Sequence, residues 1–258
     1  MLRKFSIVFL VLLLTSLGFY FFKSKSKNLN IPVIFWVWER PENLYFIKDK
    51  NISFAYLAGT ITKTDKNLEY YSRKQPLRIP DNSNTISVIR IEDRSKDHIF
   101  EDKYLSEISD YVVKSCIEKT SNIACQIDFD ATESQIEFYK KLVISVREKL
   151  PKEMKLSLTA LVSWCVNDKT WFDGLPIDEA VPMFFRLGRE ENIYWQRISE
   201  GKLNISNSCQ KAVGIATDES VPNNIYMKDK PIYIFNNQYW SPENWTIIKS
   251  DILKTIDD

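Results

Sequence analysis

The chain has 258 residues and a formal net charge of +1, and hydrophobic residues make up 44% of it. This length is enough for one large globular domain with a substantial core, and the near-neutral charge gives no electrostatic reason to expect a nucleic-acid partner. The single histidine, His98, excludes a metal site made of several histidines, and the sequence has no HExxH or paired CxxC motif. We therefore expect neither a metal nor a cofactor.

An apolar segment opens the chain. Arg3 and Lys4 precede the uncharged, mostly apolar residues 5–22, and the basic sequence KSKSKN follows them. This length is at the lower edge of what spans a bilayer, and the pattern is also typical of a signal peptide, with a weak cleavage site at 16–18. A helix of the protein core is the alternative, which the terminal position and the flanking charges disfavour.

These features divide the chain into three predicted parts. A hydrophobic N-terminal helix at 1–22 serves as a signal peptide or membrane anchor, 23–30 form a tether, and 31–258 form one folded domain. We expect a single-pass protein of the cell membrane whose body is extracytoplasmic, either periplasmic or extracellular. Cleaved export and an inward-facing body remain alternatives, because lysines on the far side of the segment blur the charge asymmetry that sets orientation.

Short apolar runs then recur along the chain, separated by polar and proline-containing stretches. Several are almost continuous in Val, Ile, Phe and Leu, as in strands that are buried on both faces. Eight such strands in this length predict an α/β fold, an irregular (β/α)8 barrel of the TIM type. The predicted strands are Ile31–Trp38, Ile52–Thr60, Thr85–Glu92, Ile123–Asp130, Lys155–Ser163, Ala180–Arg186, Ala212–Asp218 and Pro231–Asn236.

Helices are clearly indicated only in the middle of the chain. Residues 104–119 and 133–150 each carry an apolar stripe at helical spacing. Thr132 and Gln135 have the spacing of a capping box at the start of the second helix, which lies between two predicted strands as in a right-handed βαβ unit. Residues 64–84 carry prolines and polar clusters without a helical period, so we expect irregularity in the first half of the barrel.

The fourth predicted strand ends in the acidic sequence CQIDFDATES, residues 125–134. Side chains alternate along a strand, so Gln126, Asp128 and Asp130 share one face and the apolar residues between them share the other. The apolar face must meet the following helix. The two carboxylates should therefore point into the barrel near its C-terminal rim, where barrel enzymes keep their chemistry.

The two neighbouring carboxylates have a catalytic and a structural interpretation. Repulsion between like charges raises the pKa of one member, which prepares a general acid. Alternate strand positions lie ~6.6 Å apart along the backbone, and carboxyl separations of ~5–5.5 Å suit retaining glycosidases whereas ~6.5–9.5 Å suit inverting ones, so the stereochemical outcome stays open. The structural alternative is a buried pair satisfied by Arg90, by Arg186 or by a bound water.

Aromatic residues fall at strand ends or in the loops that follow them. Sugar rings stack on flat aromatic surfaces, so these side chains are candidates for a carbohydrate platform, although aromatic residues more often simply pack in the core. The candidates are Trp36, Trp38, Trp164 and Trp171.

Several segments together resemble the uncharacterised bacterial family called domain of unknown function 3142, whose members are predicted exported proteins. The segments are WVWERPENLYF (36–46), QIDFDATESQIEFYKKL (126–142), LSLTALVSWC (156–165), DEAVPMFFRLG (178–188) and GIATDES (214–220). The family is grouped with glycoside-hydrolase-like TIM barrels, so the resemblance implies a barrel directly and hydrolysis by analogy. The residues it covers are Glu39, Asp128, Asp130, Trp164, Cys165, Arg186, Cys209, Asp218 and Glu219.

These observations lead to one functional hypothesis and two alternatives. The hypothesis is a glycoside-hydrolase-like protein acting on an unknown glycan, with Asp128, Asp130 and Glu39 as catalytic candidates. Arg186 and Asp218, with the tryptophans, would bind the substrate. A non-catalytic carbohydrate- or envelope-binding barrel is the first alternative. A metal-dependent hydrolase is the second, and it would need Asp128, Asp130 and Asp218 to converge on a hard cation.

The four cysteines allow disulfides in an exported chain. Cys165 follows the fifth predicted strand and Cys209 precedes the seventh, and both belong to the family resemblance, so we predict a bridge between them. Because one cysteine follows its strand and the other precedes its strand, the two would lie at opposite ends of the barrel unless residues 200–209 loop back. We expect Cys116 and Cys125, which both face the core, to be buried free thiols.

Overall fold

The computed structural model describes residues 31–166, 170–202, 204–219 and 228–257, and it contains a closed barrel of eight parallel strands. Each strand pairs with its neighbours in sequence order, and β1 pairs with both β2 and β8 to close the barrel. All eight predicted strands are confirmed. They are β1 Val33–Val37, β2 Ile52–Lys63, β3 Thr85–Asp93, β4 Asn122–Asp128, β5 Lys155–Leu161, β6 Glu179–Met183, β7 Val213–Ala216 and β8 Ile232–Phe235.

Five helices of the described residues surround the barrel. They are α1 Leu105–Ile117, α2 Ile136–Lys149, α3 Val162–Cys165, α4 Glu191–Ser199 and α5 Pro242–Asp257. The two predicted helices are α1 and α2, and the capping box before α2 is present, with the backbone N–H of Thr132 donating to Oε1 of Gln135 at 2.9 Å. This cap fixes the point at which the chain leaves β4 and enters the outer layer.

The first half of the barrel is irregular, as predicted. In the fully described stretch 64–84 the chain forms no helix, and Leu68–Ser72 instead pairs antiparallel with β2. A short strand, Leu77–Arg78, pairs with Glu42–Asn43 above the rim. Prolines and polar residues that cannot sustain a helix are accommodated here as an extended hairpin, so the barrel lacks a covering helix between β2 and β3.

Apolar side chains form an inner core and an outer layer. Trp36, Ile34 and Tyr233 are among the buried residues that fill the barrel interior. A Cβ atom on Gly214 would lie 2.9 Å from the Trp36 ring, so only glycine allows the indole to cross the barrel beside β7. Trp36 fills the space beside Gly214 and becomes the floor of the space above.

Two disulfides tie outer elements to the barrel. The predicted Cys165–Cys209 bridge is present, with a Cα–Cα distance of 5.9 Å. The two cysteines were expected at opposite ends of their strands. They meet because α3 places Cys165 in the outer layer, where the backbone N–H of Ser206 donates to the Cys165 carbonyl at 3.0 Å. The prediction of free thiols at Cys116 and Cys125 is wrong: they form a bridge, because the turn from α1 into β4 brings the two core-facing side chains together.

The predicted anchor at 1–22 and tether at 23–30 lie outside the described residues. Among the helices that the structure does describe, none has the length and apolar character needed to cross a membrane.

Candidate functional site

A cavity of about 600 Å³ opens at the C-terminal rim of the barrel. The strands are parallel, so their carboxyl ends meet at this rim and place polar side chains from several strands around one space. Its walls include Trp36, Trp38, Arg90, Glu92, Asp128, Asp130, Thr159, Phe185, Arg186, Tyr194 and Phe235. The predicted inward face of β4 is confirmed, because Asp128 and Asp130 both line the cavity.

Asp128, the last residue of β4, is a buried carboxylate with a partner on each oxygen. Arg90 Nη1 donates to Oδ2 at 2.9 Å, and Thr159 Oγ1 donates to Oδ1 at 2.8 Å. The side chain of Asp128 is only 4% exposed, whereas that of Arg90 is 31% exposed. Of the partners considered from the sequence, Arg90 is the one that holds Asp128, through an ion pair in the barrel wall.

Asp130 lies two positions further along the chain and is exposed at the cavity mouth. Within the described part of the chain its carboxylate has no hydrogen-bond partner. Although the side chain reaches water, the surrounding protein partly shields it, and this burial raises its pKa. The negative charge of Asp128 raises the pKa further, and the positive charge of Arg90 opposes the rise. Asp130 thus has the raised pKa of a carboxyl group that is shielded from water beside a second carboxylate.

Glu92 completes the acidic side of the cavity, and sequence reasoning did not select it. Burial acts to raise its pKa, but hydrogen bonds from Arg90 and Arg94 outweigh that effect and lower it. The distances are 2.9 Å from Arg90 Nε and 2.6 Å from Arg94 Nη2. Side-chain alternation along β3 could have identified Glu92 from the sequence. Val88, Arg90 and Glu92 occupy every second position of this strand and line the same cavity.

Arg186 lies across the mouth and contacts other acids. Its Nη2 donates to Oδ2 of Asp218 at 2.6 Å, and its backbone N–H donates to Glu219 Oε1 at 3.0 Å. Asn237 also donates to Asp218, at 2.7 Å. Arg186 has a φ of 58°, a left-handed conformation that costs energy for a non-glycine residue and that these contacts maintain.

Two of the four candidate tryptophans line the cavity. Trp36 forms its floor, where its Nε1 donates to Gln126 Oε1 at 2.7 Å. Trp38 forms a wall, with the Arg90 guanidinium 5.5 Å from its ring and Phe235 edge-on at 6.1 Å. Phe185 stacks on Phe235 at 5.6 Å, which extends the aromatic surface across the opening.

Four sequence candidates do not line this cavity: Glu39, Asp218, Trp164 and Trp171. Oε1 of Glu39 accepts the backbone N–H groups of Lys74 and Gln75 at 3.0 and 3.1 Å, so it holds the loop that replaces the first crossover helix. Trp164 and Trp171 contact each other with ring centroids 5.3 Å apart and pack in the outer layer. Trp164 lies in α3, where the chain leaves β5, and Trp171 lies in the loop that follows, so neither indole lines the cavity.

The metal-dependent alternative would need Asp128, Asp130 and Asp218 to converge. Asp128 is instead held by Arg90 and Asp218 by Arg186, on opposite sides of the mouth. Across the residues described here, no group of three or more His, Cys, Asp or Glu side chains is placed to hold a metal ion.

Comparison with known proteins leaves the family open. No family model matches the chain, and no curated protein matches it. The resemblance to domain of unknown function 3142 therefore stays a prediction, and the arrangement of side chains in the cavity is the basis for inferring a function.

Proposed function

We propose that the protein is a glycoside-hydrolase-like enzyme that cleaves a glycan in the rim cavity, with Asp130 as the general acid. One observation carries this proposal: Asp130 has a raised pKa and no hydrogen-bond partner among the described residues, and it lies beside the arginine-held Asp128 in an aromatic-lined cavity. A carboxyl group whose pKa is raised beside a second carboxylate is the usual preparation for protonating a glycosidic oxygen.

The neighbouring acids have a different role in this proposal. The side chain of Asp128 is 4% exposed and each of its oxygens accepts a hydrogen bond, so the proposal gives it an electrostatic role and not that of a nucleophile. Asp128 and Glu92 would stabilise the positive charge that develops on the sugar ring while Asp130 protonates the leaving oxygen. The Asp130 carboxylate left by that step would take a proton from the water molecule that adds to the ring carbon, which restores the acid and completes hydrolysis.

The aromatic walls support a carbohydrate as the ligand. Trp38, Phe185 and Phe235 present rings to a space large enough for a sugar unit, and polar groups lie beside them. This combination suits a ring that has apolar faces and hydroxyl edges. Arg186 and Asp218, fixed by their mutual contact, would orient the bound unit.

The two disulfides support the proposed extracytoplasmic location of the domain. Stable disulfides are typical of oxidising compartments and rare in the cytosol. Together with the apolar segment at 1–22, they favour an exported, membrane-tethered protein as the setting for a glycan substrate.

The proposal is tested with a panel of oligosaccharides, in which released reducing ends are measured for the wild type and for Asp130→Asn. We expect the substitution to lower kcat by roughly 10²- to 10⁴-fold, because that is the usual contribution of a general acid. Asp102→Asn is the matched control, since Asp102 is an exposed residue before α1 that pairs with Lys141 on the outer surface. Undiminished turnover by Asp130→Asn would remove Asp130 from the mechanism.

A non-catalytic carbohydrate-binding protein is the second candidate. The observation that favours it is that Glu92 and Asp128 are both engaged by arginines, which leaves Asp130 as the one cavity carboxylate of the described residues without such a partner. In that case the wild type binds members of the same panel without releasing products, and Trp38→Ala weakens binding whereas Asp130→Asn does not.

A further inference from the structure

A second cavity of about 440 Å³ lies on the same rim and has no role in the proposed reaction. Pro41, Asn43, Pro76, Tyr239 and Trp240 are among the residues that line it. They come from the loop after β1, the hairpin loop before β3 and the loop after β8. The cavity is therefore built from the irregular part of the barrel and from the seam where the barrel closes.

The two cavities are close together because they share two loops. Trp38 and Phe235 line the first cavity, while Pro41 and Tyr239 line the second. Trp38 and Pro41 are three residues apart, and an extended chain of that length spans at most about 11 Å. Phe235 and Tyr239 are four residues apart, which corresponds to at most about 14 Å. A molecule extending from the first cavity over the seam between β1 and β8 would reach the second.

Buried polar contacts support the wall of the second cavity. The side chain of Glu42 is 1% exposed and accepts a hydrogen bond from Arg40 Nε at 2.6 Å. Glu42 also accepts the backbone N–H of Trp240 at 3.3 Å, and Arg40 Nη2 donates to the carbonyl of Asn236 at 2.6 Å. These contacts cross from the β1 loop to the β8 loop, so they hold the two sides of the cavity in a fixed relation.

The lining has the chemistry that recognises sugar rings. Tyr239 is 62% exposed, which is unusual for a large aromatic residue, and the Arg40 guanidinium lies 5.6 Å from its ring. Trp240 forms the buried part of the lining, because it is 5% exposed and stacks on Phe35 with ring centroids 4.1 Å apart. The exposed Tyr239 ring, the guanidinium beside it and the amide of Asn43 together favour a ligand with flat apolar faces and hydroxyl groups.

We propose that the second cavity is a remote subsite that binds a further sugar unit of the glycan cleaved in the first cavity. This inference rests on the proposed function and specifies its substrate class: an oligosaccharide or polysaccharide chain, not a monosaccharide or disaccharide. Contacts at a remote subsite supply binding energy that a short substrate cannot use, so the subsite makes activity depend on chain length.

The test compares disaccharides with hexasaccharides of chitin, de-N-acetylated chitin, cellulose and β-1,3-glucan, in the wild type and in Tyr239→Ala. We expect Tyr239→Ala to lower kcat/KM and affinity for the hexasaccharide roughly three- to tenfold, which is the scale of one aromatic contact, and to leave the disaccharide unchanged. Tyr71→Ala is the matched control, because Tyr71 is 49% exposed on the antiparallel strand and lines neither cavity.

Binding measurements separate this inference from the proposed function, because affinity for the same sugars can be measured in the wild type, in Tyr239→Ala and in Asp130→Asn whether or not any product is released. If the wild type releases no product but binds a hexasaccharide more tightly than its disaccharide, and Tyr239→Ala removes that preference, the subsite stands and catalysis fails. The subsite is overturned if no sugar of the panel binds, if affinity does not depend on length, or if Tyr239→Ala affects both lengths equally.

Discussion

Each side of the cavity mouth carries an arginine paired with an aspartate, but the two pairs differ in depth. On the β3–β5 side, Arg90 holds Asp128, with side chains 31% and 4% exposed. On the β6–β8 side, Arg186 holds Asp218, with side chains 57% and 26% exposed. The first pair is in the barrel wall, and the second lies in the turns above the strands.

This difference in depth determines what each pair contributes. A buried carboxylate that loses its partner carries an uncompensated charge, whereas exposed partners are replaced by water at little cost. The buried pair therefore fixes the position of the Asp128 carboxylate, whose negative charge raises the pKa of Asp130, and the exposed pair is better suited to contact a ligand. The same residue types thus give a fixed electrostatic element on one side and an accessible contact on the other.

The largest expected effect comes from removing each arginine. Arg90→Leu should lower the free energy of unfolding by about 3–5 kcal/mol, because Asp128 is left buried and charged. Arg186→Leu, the matched variant, should cost about 0–1 kcal/mol. Urea unfolding of the two variants measures the contrast. Adding Asp128→Asn to Arg90→Leu should recover part of the loss, and equal losses for the two single variants would contradict the comparison.

The two disulfides extend the contrast to the outer layer. Cys116–Cys125 closes a loop with a sequence separation of 9 beneath β4, and Cys165–Cys209 closes one of 44 on the other side. Chain entropy predicts that replacing the second pair by serine costs about 4 kcal/mol and replacing the first about 2.5 kcal/mol. Chemical unfolding of the two double variants tests this order, and a larger loss for the shorter loop would show that native packing around α1 dominates.

The smallest expected effect concerns the pH dependence of stability. The pKa of Asp130 is raised in the folded protein above its ordinary value near 3.9, so its contribution to stability is fully present below about pH 3.9 and is lost as the pH rises through the folded pKa. Asp130→Asn removes this loss and should be slightly more stable than the wild type at neutral pH. Urea unfolding from acid to neutral pH checks that the difference disappears on acidification, whereas a constant difference would indicate another cause.

The fold could be predicted because the barrel strands are buried on both faces. Their apolar runs identify all eight, and alternation along β4 gives the inward direction of Asp128 and Asp130. Hydrophobic periodicity in the sequence does not reveal the antiparallel strand Leu68–Ser72, because its half-exposed, largely polar residues resemble those of a loop. Its pairing with β2 is a tertiary feature that fixes a segment of weak local preference.

The site could be predicted only in part, because its contacts join residues far apart in sequence. Arg90 was one of three possible partners for Asp128, and nothing in the sequence selects it over Arg186. Glu39 was a catalytic candidate, but the direction of its side chain depends on contacts with the loop at Lys74, which form only in the folded chain. Trp164 was assigned to the rim because its strand was predicted to continue through Ser163, whereas the chain turns outward at Val162.

The direction of β1 has a consequence for the orientation of the whole domain. β1 begins at Val33 on the face opposite the cavity, and its carboxyl end points toward the mouth. A connection through residue 31 therefore attaches at the back of the barrel. Immobilising the domain on a solid support through residue 31 would leave both openings free.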